Sequence, residues 1–183
     1  MPVYGIEKVL INNGESLSMR TTALVLDSRK FFYSAAFEIA SRCNFRCLHC
    51  YIEERERQEN KAADIPTKQV YQIIDKLVDF GCLYLLLTGG EPLARADFLE
   101  IYLYAKRKGL IVDIFTNASL ITPEILDCFI NHPPHMIQVS LYGINKNTFE
   151  NLTQTKDLFE EVYNNLEMLS KNGPKAVRAA KQL

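Results

Sequence analysis

The sequence has no long apolar run, no marked excess of charge, and no cysteine pattern typical of a disulfide framework. Its longest uninterrupted apolar run covers residues 82–87 and is far too short to cross a bilayer. The formal net charge is −1 over 183 residues, which gives no electrostatic basis for binding nucleic acid or an anionic membrane surface. The first ten residues lack the basic start and apolar core of a signal peptide. We therefore expect a cytoplasmic protein with no nucleic acid and no membrane among its partners.

The five cysteines are an odd number, and three of them lie within eight residues. Cys82 and Cys128 occur in apolar stretches, where a small buried side chain is the ordinary expectation. Cys43, Cys47 and Cys50 are spaced so that they can hold three irons of a cubane [4Fe–4S] cluster and leave the fourth iron without a protein ligand. An open iron can bind a small molecule, so the cysteine loop predicts chemistry and not electron transfer alone.

From residue 34 onward, apolar segments alternate with amphipathic ones. Strands are predicted at residues 34–40, 82–87, 110–115 and 136–141. Helices are predicted at residues 67–80 and 97–108, from Pro123 onward, and near residues 157–171. Four successive strand–helix units predict an α/β fold with a parallel sheet and right-handed crossovers. Half of a β/α barrel and a doubly wound sheet both fit this pattern.

The polar and metal-binding features of the sequence follow predicted strands. The cysteine loop follows the first strand, and residues 88–92 follow the second. Thr116 and Asn117 follow the third strand, while Ser140 ends the fourth. In both α/β folds, ligands bind at the C-terminal ends of parallel strands. We therefore expect an active site at that rim of the sheet.

The cysteine spacing, followed about forty residues later by the segment Gly89-Gly90-Glu91-Pro92, resembles the radical S-adenosylmethionine (radical SAM) enzymes. The resemblance covers roughly residues 34–173. It implies a partial parallel β/α barrel of about four strand–helix units, with a [4Fe–4S] cluster and S-adenosylmethionine (SAM) as cofactors. In the family, SAM chelates the iron that has no cysteine ligand, and one electron from the reduced cluster releases a 5′-deoxyadenosyl radical. An external one-electron donor is therefore implied as a partner.

The resemblance also assigns roles to individual residues. It makes the three loop cysteines the cluster ligands and implies six cofactor-binding residues: His49, Gly89, Gly90, Glu91, Asn117 and Ser140. His49 stands where the family usually has an aromatic side chain against the adenine, although a fourth metal ligand is an alternative role for it. Gly89 and Gly90 would let the backbone approach the cofactor, and Glu91 would accept a hydrogen bond from its ammonium group. Relatives often have glycine where this chain has Ala118.

The closest subclass resemblance is to members that modify peptides or proteins and carry a cysteine-rich C-terminal (SPASM-type) extension, which implies a peptide or protein substrate. Residues 1–33 are expected to be an N-terminal extension, with short strands at 6–11 and 22–26 forming a small hairpin. Residues 174–183 are basic and alanine-rich, and they predict a short helix or a frayed end. Because family barrels usually have about six units, we expect a truncated or frame-disrupted copy. A naturally short member and a fragment are the alternatives.

Two other functions fit parts of the sequence. The first is a structural zinc site made by the three loop cysteines with either His49 or Cys82, although it leaves the segment at residues 89–92 without a purpose. The second is an inactive remnant or assembly partner that binds the cluster without turnover.

Overall fold

The computed structural model describes residues 3–10, 16–26, 29–50, 64–173 and 177–181. These residues form one seven-stranded sheet in which the strands lie side by side in chain order. The strands are β1 (Val3–Leu10), β2 (Ser16–Leu26), β3 (Arg29–Ala40), β4 (Tyr84–Gly89), β5 (Ile111–Thr116), β6 (Met136–Leu141) and β7 (Val177–Lys181). The helices are α1 (Thr67–Asp79), α2 (Phe98–Arg107), α3 (Pro123–Asn131), α4 (Lys146–Thr153) and α5 (Phe159–Asn172), with a short 3₁₀ turn at Pro92–Ala94.

The strand directions divide the sheet into two parts. β1, β2 and β3 pair antiparallel, whereas β3 through β7 all pair parallel. The parallel part contains four strand–helix units followed by β7, so the predicted α/β partial barrel is confirmed. In the described part of the chain, no helix is both long and apolar enough to cross a membrane.

The strands β1 and β2 pair antiparallel and are longer than the strands expected at residues 6–11 and 22–26. β2 continues into the main sheet, because Arg20 pairs with Ala36 of β3. The antiparallel pair therefore extends the sheet itself. Residues 11–15, between the two strands, lie outside the described residues.

The prediction for the C-terminal tail was wrong for residues 177–181. These residues form β7, which pairs with β6 from Ile137↔Val177 to Leu141↔Lys181. The segment has low strand propensity, with two alanines and two basic residues among its five. Pairing with the edge of β6 overrides that propensity, as tertiary context commonly does for strands.

The main core lies between the parallel strands and the helices packed on one face of the sheet. β4, β5 and β6 each alternate partly buried with fully buried residues. The fully buried positions point at the helices, and α1 contributes Val70, Ile73, Ile74 and Leu77 to the same core. Each large aliphatic side chain buried in this way stabilises the fold by about 1.5–3 kcal/mol. The core fixes the strand ends from which the loops of the candidate site project.

Candidate active site at the C-terminal ends of the strands

The cysteine loop follows β3, at the C-terminal rim of the sheet. Cys47 is buried, and Cys43 and Cys50 are partly exposed. All five cysteines of the chain lie in the described part, and none forms a disulfide. The loop belongs to a second, smaller apolar cluster, which is separate from the main core and contains Phe45, Cys47, Leu141, Phe149 and Val162.

Helix α4 holds the cysteine loop through its last turn. The backbone N–H groups of Arg46 and Leu48 donate to the carbonyls of Thr153 and Leu152, each at 2.9 Å. These carbonyls belong to the end of a helix, where carbonyl groups have no partner within the helix itself. The loop therefore caps α4.

Phe149 of α4 adds an aromatic contact to these hydrogen bonds. Its ring meets the ring of Phe45 edge-on, with centroids 5.7 Å apart. Our sequence prediction missed α4 because the helix has only eight residues. The available signal was Asn145, whose side chain accepts a hydrogen bond from Thr148 N as a helix N-cap does.

The two glycines after β4 allow close approach to the cysteine loop. A Cβ at Gly89 would lie 2.2 Å from the carbonyl oxygen of Ala40, and one at Gly90 would lie 2.4 Å from that of Arg42. Two hydrogen bonds join the backbones here, from Gly90 N to Ala40 O at 2.8 Å and from Glu91 N to Arg42 O at 2.9 Å. At both glycines, a side chain is thus excluded by the backbone that leads into the cysteine loop. The expected approach of a cofactor to these glycines stays a prediction.

Glu91 links the ends of β4 and β5 from a fully buried position. Its Oε1 accepts hydrogen bonds from Leu93 N at 3.0 Å and Thr116 Oγ1 at 2.7 Å, and its Oε2 accepts from Asn117 N at 2.7 Å. Burial raises the pKa of Glu91 to about 7, although the three donors favour the carboxylate. The predicted contact with a ligand ammonium stays a prediction, and this internal pairing does not favour it.

Cys43 has hydrogen-bond donors close to its sulfur. Phe45 N lies 3.3 Å from Sγ, and Asn117 Nδ2 lies 3.9 Å from it. Burial raises the pKa of the Cys43 thiol to about 11, and the charges of Glu91 and Cys50 raise it further, while these two donors lower it. Such donors stabilise negative charge on sulfur, the form in which cysteine binds metal.

His49 and Ser140 both adjoin Tyr142, a residue that our sequence prediction missed. The exposed ring of His49 packs on the Tyr142 ring at a centroid distance of 4.4 Å. Ser140 is partly buried near the end of β6, and its side chain hydrogen-bonds that of Tyr142. Burial raises the pKa of Tyr142, and the charges of the three loop cysteines raise it further, so all three thiols lie near this ring.

A partly buried ion pair lies beneath the start of the cysteine loop. Arg95 pairs with Asp97 through two hydrogen bonds, of 2.9 and 2.7 Å. The same guanidinium donates to the carbonyls of Ile39 at the end of β3 and Ile65 before α1. Arg95 holds the pKa of Asp97 at about 2. The pair thus joins three segments beneath the rim.

The zinc alternative that uses Cys82 was wrong. Cys82 precedes β4, whereas Gly89 ends it, so Cys82 lies at the opposite edge of the sheet from the cysteine loop. The six residues of β4 span about 20 Å at the usual rise of a strand. Among the described residues, no three side chains of His, Cys, Asp or Glu are gathered as ligands of a single metal ion. A cubane makes a different demand, because each thiolate binds its own iron.

A parallel β/α sheet with a three-cysteine loop at its C-terminal rim defines an α/β partial-barrel domain with a candidate site for a metal cluster. The chain belongs to the Radical SAM superfamily, whose profile matches residues 37–178. It is 33% identical over 136 residues to an AdoMet-dependent heme synthase of Methanosarcina barkeri, which covers 74% of this chain and 38% of that protein. It is 29% identical over 140 residues to the subtilosin biosynthesis protein AlbA of Bacillus subtilis, which covers 76% of this chain and 31% of that protein.

The fold resembles that of Streptococcus suis SuiB bound to its precursor peptide SuiA. The TM-score is 0.67 at 19% identity, and the match covers 79% of this chain and 31% of that one. The chain thus spans about a third of the length of each of these three proteins. Members of the family use a [4Fe–4S] cluster and SAM, so the cofactor prediction is confirmed at the level of the family.

The residues present fit such a cluster. The three thiols stand on one loop at the rim, and the last turn of α4 braces this loop through backbone groups and the ring of Phe45. Sulfur-directed N–H donors are the kind of partner that surrounds cluster ligands in iron–sulfur proteins.

Proposed function

We propose that this chain is a radical SAM enzyme domain that cleaves SAM reductively, with Cys43, Cys47 and Cys50 as ligands of a [4Fe–4S] cluster. The three thiolates would hold the cluster, which would supply one electron to the sulfonium of SAM, so that its C–S bond would break to give methionine and a 5′-deoxyadenosyl radical. The observation that carries the proposal is the braced three-cysteine loop at the C-terminal ends of parallel strands.

Four residues are proposed to bind SAM. His49 is exposed and offers a ring for stacking against adenine. Ser140 is partly exposed and offers a hydroxyl group. Gly90 is partly exposed beside Cys43, whereas Gly89 is buried, and both are proposed on the family resemblance. The side chains of Glu91 and Asn117 are engaged with protein groups, so we assign them no direct contact with SAM.

Peptides or proteins are the proposed substrate class. Three similar proteins support it: AlbA, described as a bacteriocin biosynthesis protein, a mycofactocin maturase of Mycolicibacterium smegmatis at 31% identity, and SuiB with its precursor peptide. The chain spans about a third of each of these proteins, so their substrates support the peptide class for this chain only as a proposal.

The first test is anaerobic reconstitution of the purified chain with iron and sulfide. We expect iron and sulfide at cluster stoichiometry and, after addition of dithionite and SAM, formation of 5′-deoxyadenosine. Alanine at any one of the three loop cysteines should abolish cluster assembly. Cys82→Ala is the matched control, since this buried thiol lies at the opposite edge and its loss should leave the cluster intact. Zinc without sulfide would contradict the proposal, and a cluster without SAM cleavage would favour the inactive alternative.

The substrate class is tested with uniformly deuterated material. Abstraction of a substrate hydrogen by the radical places deuterium in 5′-deoxyadenosine, where mass spectrometry detects it. Transfer from a deuterated peptide pool supports a peptide substrate. Transfer only from the peptide-free small-molecule fraction contradicts it.

A further inference from the structure

Asn117, directly after β5, belongs to a closed hydrogen-bonded ring with Asn44 of the cysteine loop and with Ser119. Asn44 Nδ2 donates to Ser119 Oγ at 2.7 Å, and Ser119 Oγ donates to Asn117 Oδ1 at 2.7 Å. Asn117 Nδ2 closes the ring by donating to Asn44 Oδ1 at 2.9 Å. Donors and acceptors alternate around the ring, so all three bonds can form together.

The ring is largely shielded from water. Asn117 is 6% exposed and Ser119 is 1% exposed, while Asn44 lies at the surface. Hydrogen bonds in such surroundings are stronger than in water, and a broken one leaves a costly unpaired group. The ring is therefore a firm link between the cysteine loop and the end of β5.

The side-chain amide of Asn117 has its full hydrogen-bonding capacity engaged. An amide oxygen accepts two hydrogen bonds, and an amide nitrogen donates two. Besides the ring bonds, Oδ1 accepts from Ser119 N at 2.9 Å, and Nδ2 reaches Cys43 Sγ at 3.9 Å. A direct contact between this amide and the ribose or carboxylate of a cofactor would break one of these four interactions.

The backbone of Asn117 connects the ring to the loop after β4. Its N–H donates to the buried carboxyl of Glu91 at 2.7 Å. One residue thus joins the ends of β4 and β5 to the cysteine loop, and it does so beside the first of the three cysteines. Asn117 is therefore placed to affect both the position of Cys43 and the hydrogen bonding of its sulfur.

We propose that Asn117 is a positioning residue for Cys43, which it serves by holding the cysteine loop through Asn44 and by donating an N–H to the Cys43 sulfur. This inference rests on the proposed function, because it takes Cys43 to be an iron ligand. A hydrogen bond to a ligand sulfur stabilises the more negative, reduced state of a cluster and so raises its reduction potential. Asn117 then makes the cluster easier to reduce and does not select the cofactor.

The test compares Asn117→Ala with Asn44→Ala and Ser140→Ala. Iron content, the midpoint potential from an EPR-monitored redox titration without SAM, and the dissociation constant for SAM are measured for each. For Asn117→Ala we expect a more negative potential and unchanged SAM affinity. Asn44→Ala, which breaks the ring but leaves the donor to sulfur, should shift the potential less. Ser140→Ala should weaken SAM binding and leave the potential unchanged.

The outcomes separate the two proposals. A wild-type chain that assembles no cluster refutes the proposed function. A wild-type cluster combined with an Asn117→Ala variant that has normal potential and weakened SAM binding refutes the inference alone. Loss of iron from a folded Asn117→Ala chain supports positioning. If that variant does not fold, Asn117→Asp decides, because it keeps an acceptor for Ser119 and removes the N–H donor to the Cys43 sulfur, and an unchanged potential there overturns the inference.

Discussion

Replacing Gly90 by alanine tests whether the glycine pair serves the cysteine loop. The new Cβ would lie 2.4 Å from Arg42 O and 3.1 Å from Cys43 Cβ. Gly90 does not have positive φ, so the alanine backbone is not strained in itself. The effect of the substitution is therefore a clash with the backbone immediately before the first cysteine.

The size of the effect follows from these contacts. Real Cβ atoms essentially never approach closer than 3.0 Å, so the Arg42 carbonyl must move by at least about 0.6 Å. Forcing extra volume into packed structure costs about 1–3 kcal/mol. Each of the two backbone hydrogen bonds between these segments is worth about 0.5–1.5 kcal/mol if lost. We expect Gly90→Ala to lower the free energy of unfolding by about 2–4 kcal/mol, a large part of the roughly 5–15 kcal/mol that domains have.

Gly109→Ala is the matched control. Gly109 has a φ of +85° with nothing within 4 Å of a built Cβ, so alanine there adds backbone strain of about 1–2 kcal/mol without a clash. Chemical denaturation of the cluster-free chains gives the free energy, and iron and sulfide per folded chain give the cluster content. We expect both variants to lose stability and only Gly90→Ala to lose cluster. Full cluster content in Gly90→Ala would refute the reasoning.

Three further predictions concern the surroundings of the site. Phe149→Ala and Phe129→Ala each remove a fully buried ring, and each should lower the free energy of unfolding by about 3–5 kcal/mol in denaturation experiments. Only Phe149→Ala, which loses the contact with Phe45, should lower the iron content per folded chain. Because the pKa of Glu91 is raised to about 7, its contribution to stability is present below about pH 4.5 and is lost as pH rises towards 7. Glu91→Gln should abolish this decline in the free energy of unfolding. A Glu91→Gln variant with the wild-type pH profile would contradict the prediction. Because the pKa of Asp97 is lowered to about 2, the contribution of Asp97 to stability is present above about pH 3.8 and is lost as pH falls through 2. The difference in unfolding free energy between wild type and Asp97→Asn should therefore vanish in strong acid. A difference that stays constant with pH would show that the ion pair is not its source.

Much of the fold follows from local patterns. Strand β6 was predicted with its observed bounds, and the helix predicted at residues 67–80 differs from α1 by one residue at its end. Apolar periodicity and capping residues are local signals, so they can be read without knowing the fold. Helix α4 was missed because it is short, and its contacts with the cysteine loop come from residues about 100 positions earlier in the chain.

In the candidate site, too, local features could be predicted and contacts between distant residues could not. The spacing of Cys43, Cys47 and Cys50 is a local property, and the sequence alone was enough to place these residues at a rim together with Ser140 and residues 88–92. The close backbone contact between Gly90 and Arg42 could not be predicted, because the two residues are far apart in sequence and meet only where their strands pair. Asn117 was expected to bind a cofactor, which stays a prediction, while its side-chain contacts with Asn44 and Cys43 were not foreseen.

The sequence by itself determined the parallel α/β pattern and the three-cysteine loop, since spacing and periodicity are carried by neighbouring residues, and the motifs at residues 43–50 and 89–92 carry the resemblance to radical SAM enzymes. Only the tertiary structure decided which groups hold that loop. The caps on α4, the backbone contacts of Gly90 and the ring through Asn117 all join segments distant in the chain. The same holds for β7, whose residues have little strand propensity and become a strand because β6 offers them an edge. Contacts between residues distant in sequence depend on how the strands and helices pack against each other, and this packing is a property of the whole folded sheet.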